Sequence, residues 1–190
     1  MRNLIKTLLL VLVAALFIPM ANAQAAPKKE VAPKPAFSPS QTLLNAWNDV
    51  GRKIIVMAED FPEDKYDFKP TPAQRSFAEQ LLHAAGANYF FINPATGAKL
   101  PSGDPLRADY KTKAQVVEYV KKSFADGAAL IKIKGDEGLN DLWVDPFSNQ
   151  QSRFSEGAWS YLEHSGEHYG QLAVYYRVAG LVPPESRPKK

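Results

Sequence analysis

Four stretches of the chain place apolar side chains at helical spacing, and this pattern limits the fold more than any other feature. The first covers residues 41–60, in which Trp47 and Val50 mark the apolar face. Ser38 and Ser40 precede it as candidate N-caps. Because an amphipathic helix must bury its apolar face, the pattern predicts a protein built by packing helices together.

Two capping boxes predict where the second and third helices begin. The segment 76–79 (Ser-Phe-Ala-Glu) opens the second helix, which we expect to end near residue 92, before Pro94. The segment 112–115 (Thr-Lys-Ala-Gln) opens the third helix, which we expect to continue toward Gly135. Each box satisfies backbone N–H groups that have no partner inside the helix.

The fourth helix is predicted over residues 155–179, with Gly180 just beyond its C-cap. Residues 136–154 are predicted to form a long connection with a β-like patch at 142–144. The four helices together predict an all-α protein, a four-helix bundle with long connections.

The first 23 residues have the layout of a cleavable export signal. A basic start is followed by an apolar run at 8–18 and by Ala-Asn-Ala at 21–23. The run is shorter than the roughly 20 residues that a membrane-spanning helix needs. We therefore expect a signal peptide over 1–23, a periplasmic or secreted protein that begins at Gln24, and no stable membrane insertion. An uncleaved anchor is the alternative.

The rest of the chain differs from the signal in composition. Residues 24–39 are rich in Pro, Ala and Lys and are predicted to form a disordered linker, with the bundle over 40–187 and a tail at 188–190.

The chain has no cysteine, which excludes disulfides and a thiol nucleophile. The net charge of the whole chain is +3, and removal of the signal with its two basic residues lowers it to about +1. A charge this close to zero gives no reason to expect a nucleic-acid partner. An exposed bundle face could support a homodimer.

The chain contains three histidines, and two of them, His164 and His168, lie four residues apart on the predicted fourth helix. That spacing puts both imidazoles on one face, with Cβ atoms roughly 5 to 6 Å apart. Together with His83 on the second helix, they could share one divalent metal ion and leave a coordination position open, as catalytic sites do. A water there would be acidified toward neutrality. The other explanation is that the histidines merely pack against one another.

Two more residues are candidates for the site. Gln171 lies on the same stripe of the fourth helix as the histidine pair, and Glu79 lies within about 40° of His83 on the second helix. We expect Glu79 to hydrogen-bond a metal-bound water or the far ring nitrogen of a histidine, and either residue could assist the activation of that water.

A competing motif overlaps the histidine pair. Residues 164–168 match H-x-x-E-H, in which Glu167 would be the general base of a zinc peptidase. Those enzymes need a further acidic ligand downstream, and only Glu185 follows, in a Pro-rich tail. We therefore interpret the match as a coincidence of a short motif.

The residues around the histidines resemble those of the DinB-like (DinB/YfiT) superfamily of four-helix-bundle metalloproteins. The similarity extends from about residue 39 to residue 187 and is most specific over 68–83 and 164–172. The family pattern is one histidine on the second helix and an H-x-x-x-H pair on the fourth. The resemblance implies that the three histidines bind a divalent metal such as nickel, zinc, iron or manganese.

The resemblance also suggests an activity. Characterised relatives include transferases and isomerases that use small cytosolic thiols. An export signal disfavours that chemistry, because an oxidising exterior is a poor place for a reduced thiol. We therefore expect a metal-dependent hydrolase or transferase that acts on a small molecule. A non-catalytic bundle that binds a metal or a small ligand is the alternative.

Overall fold

A computed structural model describes residues 37–188 of the chain. The helices are α1 (Pro39–Asp60), α2 (Phe77–Thr96), α3 (Lys113–Gly138) and α4 (Phe154–Val178), and the strands are β1 (Leu142–Val144) and β2 (Gln151–Arg153). Single 3₁₀ turns lie at Glu63–Lys65, Arg107–Asp109 and Pro184–Ser186. The predicted all-α class with four helices is confirmed. The signal predicted at 1–23, and all of the linker before residue 37, lie outside the described residues.

The helix starts follow the local sequence signals. Of the two candidate caps, Ser38 is the N-cap of α1, and its hydroxyl accepts from the Gln41 N–H at 3.2 Å. The capping box of α2 is complete: Glu79 N–H donates to Ser76 Oγ at 3.2 Å, and Ser76 N–H donates to Glu79 Oε2 at 2.6 Å. The same reciprocal bonds open α3. These caps fix where the bundle helices begin, and each is worth about 1 kcal/mol.

Two helices end later than the pattern predicts. α2 continues past Pro94, because a proline in the last turn removes only one backbone hydrogen bond. It ends where Gly97 adopts a left-handed φ of 73° and donates to the Asn93 carbonyl. The backbone of α3 does break at Gly135, with φ 57°, but a further turn carries the helix to Gly138.

Two pairs of consecutive helices lie diagonally across the bundle: α1 with α2, and α3 with α4. α1 packs against α3 and α4, and α2 packs against the same two helices. The connections over 61–76 and 139–153 each join two helices across a diagonal of the bundle. This order places α2 and α4, which carry the histidines, side by side. None of the helices described is both long and apolar enough to cross a membrane.

The hairpin in the connection over 139–153 is anchored on α2. β1 and β2 pair antiparallel, with Trp143 opposite Ser152. Trp143 is buried, and its indole N–H donates to the Phe91 carbonyl at 3.2 Å. The hairpin turn therefore lies beside α2, where the Phe147 ring packs 5.1 Å from the Phe90 ring, measured between centroids.

A close contact between α1 and α3 surrounds Trp47. The indole is fully buried, and its N–H donates to the Phe124 carbonyl at 2.9 Å. Gly127 lies against the ring, and a Cβ at that position would be 2.2 Å from Trp47 Cζ2. Only a glycine therefore fits here without moving the indole.

We expect Gly127→Ala to destabilise the fold by about 2 kcal/mol, since the added methyl must displace a buried ring. Gly166→Ala is the matched control. Gly166 lies in α4, and among residues 37–188 no atom other than those of the neighbouring helix backbone lies within 4 Å of an added Cβ. The same change there should stabilise the fold by about 0.5 to 1 kcal/mol through helix propensity. Urea unfolding measures both, and shifts of equal sign and size would contradict the packing described.

Candidate metal centre

Three imidazoles meet between α2 and α4. His83 comes from α2, and His164 and His168 come from one face of α4, as the spacing predicts. Their ring centroids lie between 4.3 and 5.5 Å apart, and one nitrogen from each ring lies within 4.8 Å of the others. The structure thus brings together the three residues that sequence reasoning selects as metal ligands.

The closest pair of nitrogens has a spacing that suits a shared ion. His164 Nε2 and His168 Nε2 lie 3.0 Å apart. Two nitrogens bound to one metal at about 2.0 to 2.1 Å would also be roughly 3 Å apart. His164 Nδ1 is buried without a hydrogen-bond partner among residues 37–188, and Nε2 is the ring nitrogen that faces His168. A set of imidazole nitrogens suits zinc, nickel, copper or iron.

The Asp104 carboxylate holds the His83 ring. Its two oxygens lie 2.9 and 2.8 Å from His83 Nδ1, and Arg75 Nη2 lies 3.2 Å from one of them. Partial burial raises the pKa of Asp104, but the hydrogen bond to His83 and the charge of Arg75 outweigh it and keep that pKa below its ordinary value. An ionised carboxylate retains the proton on Nδ1 and leaves the Nε2 lone pair free, as in carboxylate–histidine–metal arrangements.

Two glutamine amides contact the His168 ring. Gln80 Nε2 lies 2.5 Å from His168 Nδ1 and 2.5 Å from Gln171 Oε1. When Gln80 donates to Nδ1, the proton of the neutral ring sits on Nε2, where His164 can accept it. When the amide is reversed and its oxygen accepts from Nδ1, the His168 Nε2 lone pair becomes free for a metal. The orientation of the two amides therefore selects between paired histidines and a metal-binding pair.

Burial keeps the two histidines of α4 neutral. Desolvation, reinforced by the neighbouring imidazoles, lowers the pKa of His168 to about 4. Desolvation and His83 also lower the pKa of His164. Since a metal binds the neutral imidazole, both side chains are in the binding form at neutral pH.

The low pKa of His168 has a consequence for the metal-free protein. In the unfolded chain the ring has its ordinary pKa of 6.5, so it gains a proton there before it does in the folded state. We expect this one group to leave the free energy of unfolding unchanged above pH 6.5 and to lower it by about 3 kcal/mol as the pH falls to 4. Urea unfolding between pH 7 and pH 4, compared with His168→Gln, isolates this contribution. The variant should lose less stability over that range, and equal losses would contradict the assignment.

The remaining predicted residues lie in different places. Gln171 lies at the site, but the Glu79 carboxylate completes the capping box of α2. No hydrogen bond joins Glu79 to an imidazole in the part of the chain described. The peptidase interpretation gains no support, because Glu167 is exposed and Glu185 pairs with Arg52 at 2.7 Å.

Two residues at the site escape the sequence pattern. Gln80 lies three residues before His83, about 60° away around the helix and just outside the stripe that the histidine defines. Asp104 lies in the irregular segment between α2 and α3, whose path no periodic pattern describes. A Gly-Asp-Pro turn at 103–105 is the only local signal that could have directed attention to it.

A cavity of about 510 Å³ opens beside the imidazoles. This volume is in the usual range for small-molecule sites. The walls include two histidines, three aromatic side chains and three charged ones: His83, His164, Phe90, Phe147, Tyr161, Arg75, Asp104 and Asp145. A ligand in the cavity could therefore reach the imidazole cluster directly.

The fold and the site define a four-helix bundle with a candidate three-histidine metal centre and an adjoining cavity. The family model of the DinB superfamily matches residues 46–172, so the chain belongs to this superfamily. The resemblance stated from the sequence is thereby confirmed. A search among curated proteins finds no match.

Solved structures with the same fold differ widely in sequence. A DinB-like protein from Bacillus cereus ATCC 10987 is 15% identical, with a TM-score of 0.63, and the match covers 76% of this chain and 95% of that one. YfiT from Bacillus subtilis, described as a probable metal-dependent hydrolase with an unusual four-helix bundle topology, is 15% identical over 82% of this chain and 97% of its own, with a TM-score of 0.58. A conserved protein from Enterococcus faecalis is 13% identical over 75% and 98%, with a TM-score of 0.54. The TM-scores show a shared fold, and at such low identities they show nothing beyond the fold.

Proposed function

We propose that the protein binds one divalent transition-metal ion through His83, His164 and His168 and uses it in hydrolysis or group transfer on a small molecule. The observation that carries the proposal is the 3.0 Å approach of two Nε2 atoms, with a third imidazole beside them, at the wall of a cavity of about 510 Å³. The description of YfiT as a probable metal-dependent hydrolase supports hydrolysis as the first reaction to test.

Several residues of the chain would position the metal ligands and the substrate around the ion. When bound, a divalent ion would supply Lewis acidity toward a carbonyl or phosphoryl group and toward water. Asp104 orients His83, and Gln80 with Gln171 sets the proton position on His168. Arg75 at the cavity wall offers positive charge to an anionic part of the substrate. Three protein ligands leave room for a substrate at the ion.

The proposed setting is outside the cytoplasm. The signal-like layout of residues 1–23 supports export, and export makes hydrolysis more suitable than transfer to a reduced thiol. N-terminal sequencing of the protein recovered from a periplasmic or culture fraction should begin at Gln24. Recovery of the uncut chain in a membrane fraction would support the anchor instead.

The test is a panel of esters, lactones, amides and phosphate esters given to protein loaded with zinc, nickel, iron or manganese. We expect turnover of one class that a chelator removes, that added metal restores and that His164→Ala lacks. Turnover insensitive to chelator would contradict the proposed chemistry. Full metal occupancy without turnover of any class would favour the non-catalytic metal-binding bundle.

A further inference from the structure

We infer that the cavity selects small molecules with an aromatic or similarly flat apolar group, joined by a short spacer to the atoms that reach the three histidines. The inference rests on the proposed metal centre and names the class of molecule that the centre would act on. The inference depends on an aromatic wall that Phe90 and Phe147 form at some distance from the imidazoles.

The α2 side of the cavity has three successive parts. His83, Ala87 and Phe90 lie on one stripe of the helix, and all three line the cavity. The small side chain of Ala87 leaves space between the imidazole and the phenyl ring. Phe90 follows His83 by seven residues, which places it about 10 Å further along the helix axis. A ligand that touches both ends must therefore be longer than a two-carbon acid or amide.

Phe147 presents an aromatic face that the described residues, 37–188, leave uncovered. The side chain is on the hairpin turn and is 74% exposed, although one side of its ring packs on Phe90. The turn is held in shape by Asp145, whose Oδ1 accepts from the Phe147 and Ser148 N–H groups at 2.8 Å each. A large apolar side chain kept in water at the mouth of a cavity gains stability when a flat ligand covers it.

A third aromatic side chain lines the cavity, close to the histidines. Tyr161 lies on α4, one turn before His164, and its ring centroid is 6.4 Å from the imidazole centroid. Charged side chains line the histidine end, where Arg75 and Asp104 contact each other. The cavity thus has charged side chains at the histidines and two phenyl rings at the hairpin, where the Oδ1 atom of Asp145 is already bonded to the turn backbone. This arrangement matches a ligand with one polar end and one flat apolar end.

The test compares two hydroxamates, which bind metal through the same group, on zinc-loaded protein by isothermal titration. Acetohydroxamate lacks an aromatic group, and 3-phenylpropionohydroxamate carries a phenyl ring on a two-carbon spacer. We expect the phenyl compound to bind the wild type at least about tenfold more tightly. Phe147→Ala should weaken the phenyl compound about five- to tenfold and leave acetohydroxamate unchanged. Leu142→Ala, which removes another exposed apolar side chain of the hairpin, should change neither.

The outcomes separate the two proposals. If acetohydroxamate binds but the phenyl compound gains nothing, or if Phe147→Ala leaves its gain intact, the aromatic selectivity is overturned and the metal centre stands. If zinc binds and neither hydroxamate does, the open position on the metal is overturned, and the inference that rests on it fails as well. An equal loss in Leu142→Ala would assign the effect to the hairpin as a whole and overturn the role of Phe147.

Discussion

Alanine in place of His168 is expected to lower the affinity of the protein for zinc by about 10²- to 10³-fold. His168 is buried, its Nε2 faces that of His164, and its ring centroid lies 4.7 Å from that of His83. Structural zinc sites with about four ligands bind with roughly 10 to 16 kcal/mol, so each ligand contributes several kcal/mol. Competition with a chelator of known affinity measures the loss.

Glu167→Ala is the control for His168→Ala. Glu167 is the adjacent residue, it is exposed, and it is the residue that the H-x-x-E-H interpretation would make essential. We expect its replacement to change zinc affinity by less than about twofold. Wild-type affinity in His168→Ala would contradict the three-histidine site, and a large loss in Glu167→Ala would revive the peptidase interpretation.

Removal of the Asp104 carboxylate should weaken zinc binding about 10- to 100-fold without removing a ligand. Asp104 accepts from His83 Nδ1 at 2.8 Å, and such carboxylates orient a metal-binding imidazole and raise its basicity. Asp104 is partly exposed, so Asp104→Ala should remain folded. Chelator competition gives the affinity, and urea unfolding of the metal-free protein shows that the fold is retained.

Glu79→Ala is the matched control, because it removes the carboxylate that the sequence pattern favours for the same role. We expect it to cost about 1 kcal/mol of folding stability through loss of the capping box, with zinc affinity unchanged. If Glu79→Ala weakened zinc binding and Asp104→Ala did not, the sequence-based role for Glu79 would be correct and the role assigned to Asp104 would be wrong.

Local signals predict the helices and the histidine cluster for the same physical reason. Caps such as Ser76 and Thr112 act within one turn, so their effect is visible in a few residues of sequence. His164 and His168 are set on one face by the helical repeat alone. Once α2 and α4 are neighbours, His83 completes the cluster if it lies at the same level along the bundle axis as the pair on α4.

The residues that escape prediction depend on contacts between distant parts of the chain. Asp104 reaches His83 because an irregular segment of 16 residues folds back over α2, and such a path has no periodicity to detect. Gln80 matters only because Gln171 and His168 meet it from α4. Phe147 joins the cavity because Trp143 anchors its hairpin. The diagonal order of the helices likewise follows from packing, which the four helical patterns do not encode one by one.

X-ray absorption at the zinc edge of tag-free protein carrying one equivalent of zinc tests the central claim most directly. The chain contains three histidines in all, so the number of imidazoles around the zinc identifies the ligands. We predict three imidazole nitrogens at about 2.0 to 2.1 Å, with the multiple scattering typical of histidine rings. A first shell of oxygen atoms with at most one imidazole would contradict a metal centre built from His83, His164 and His168.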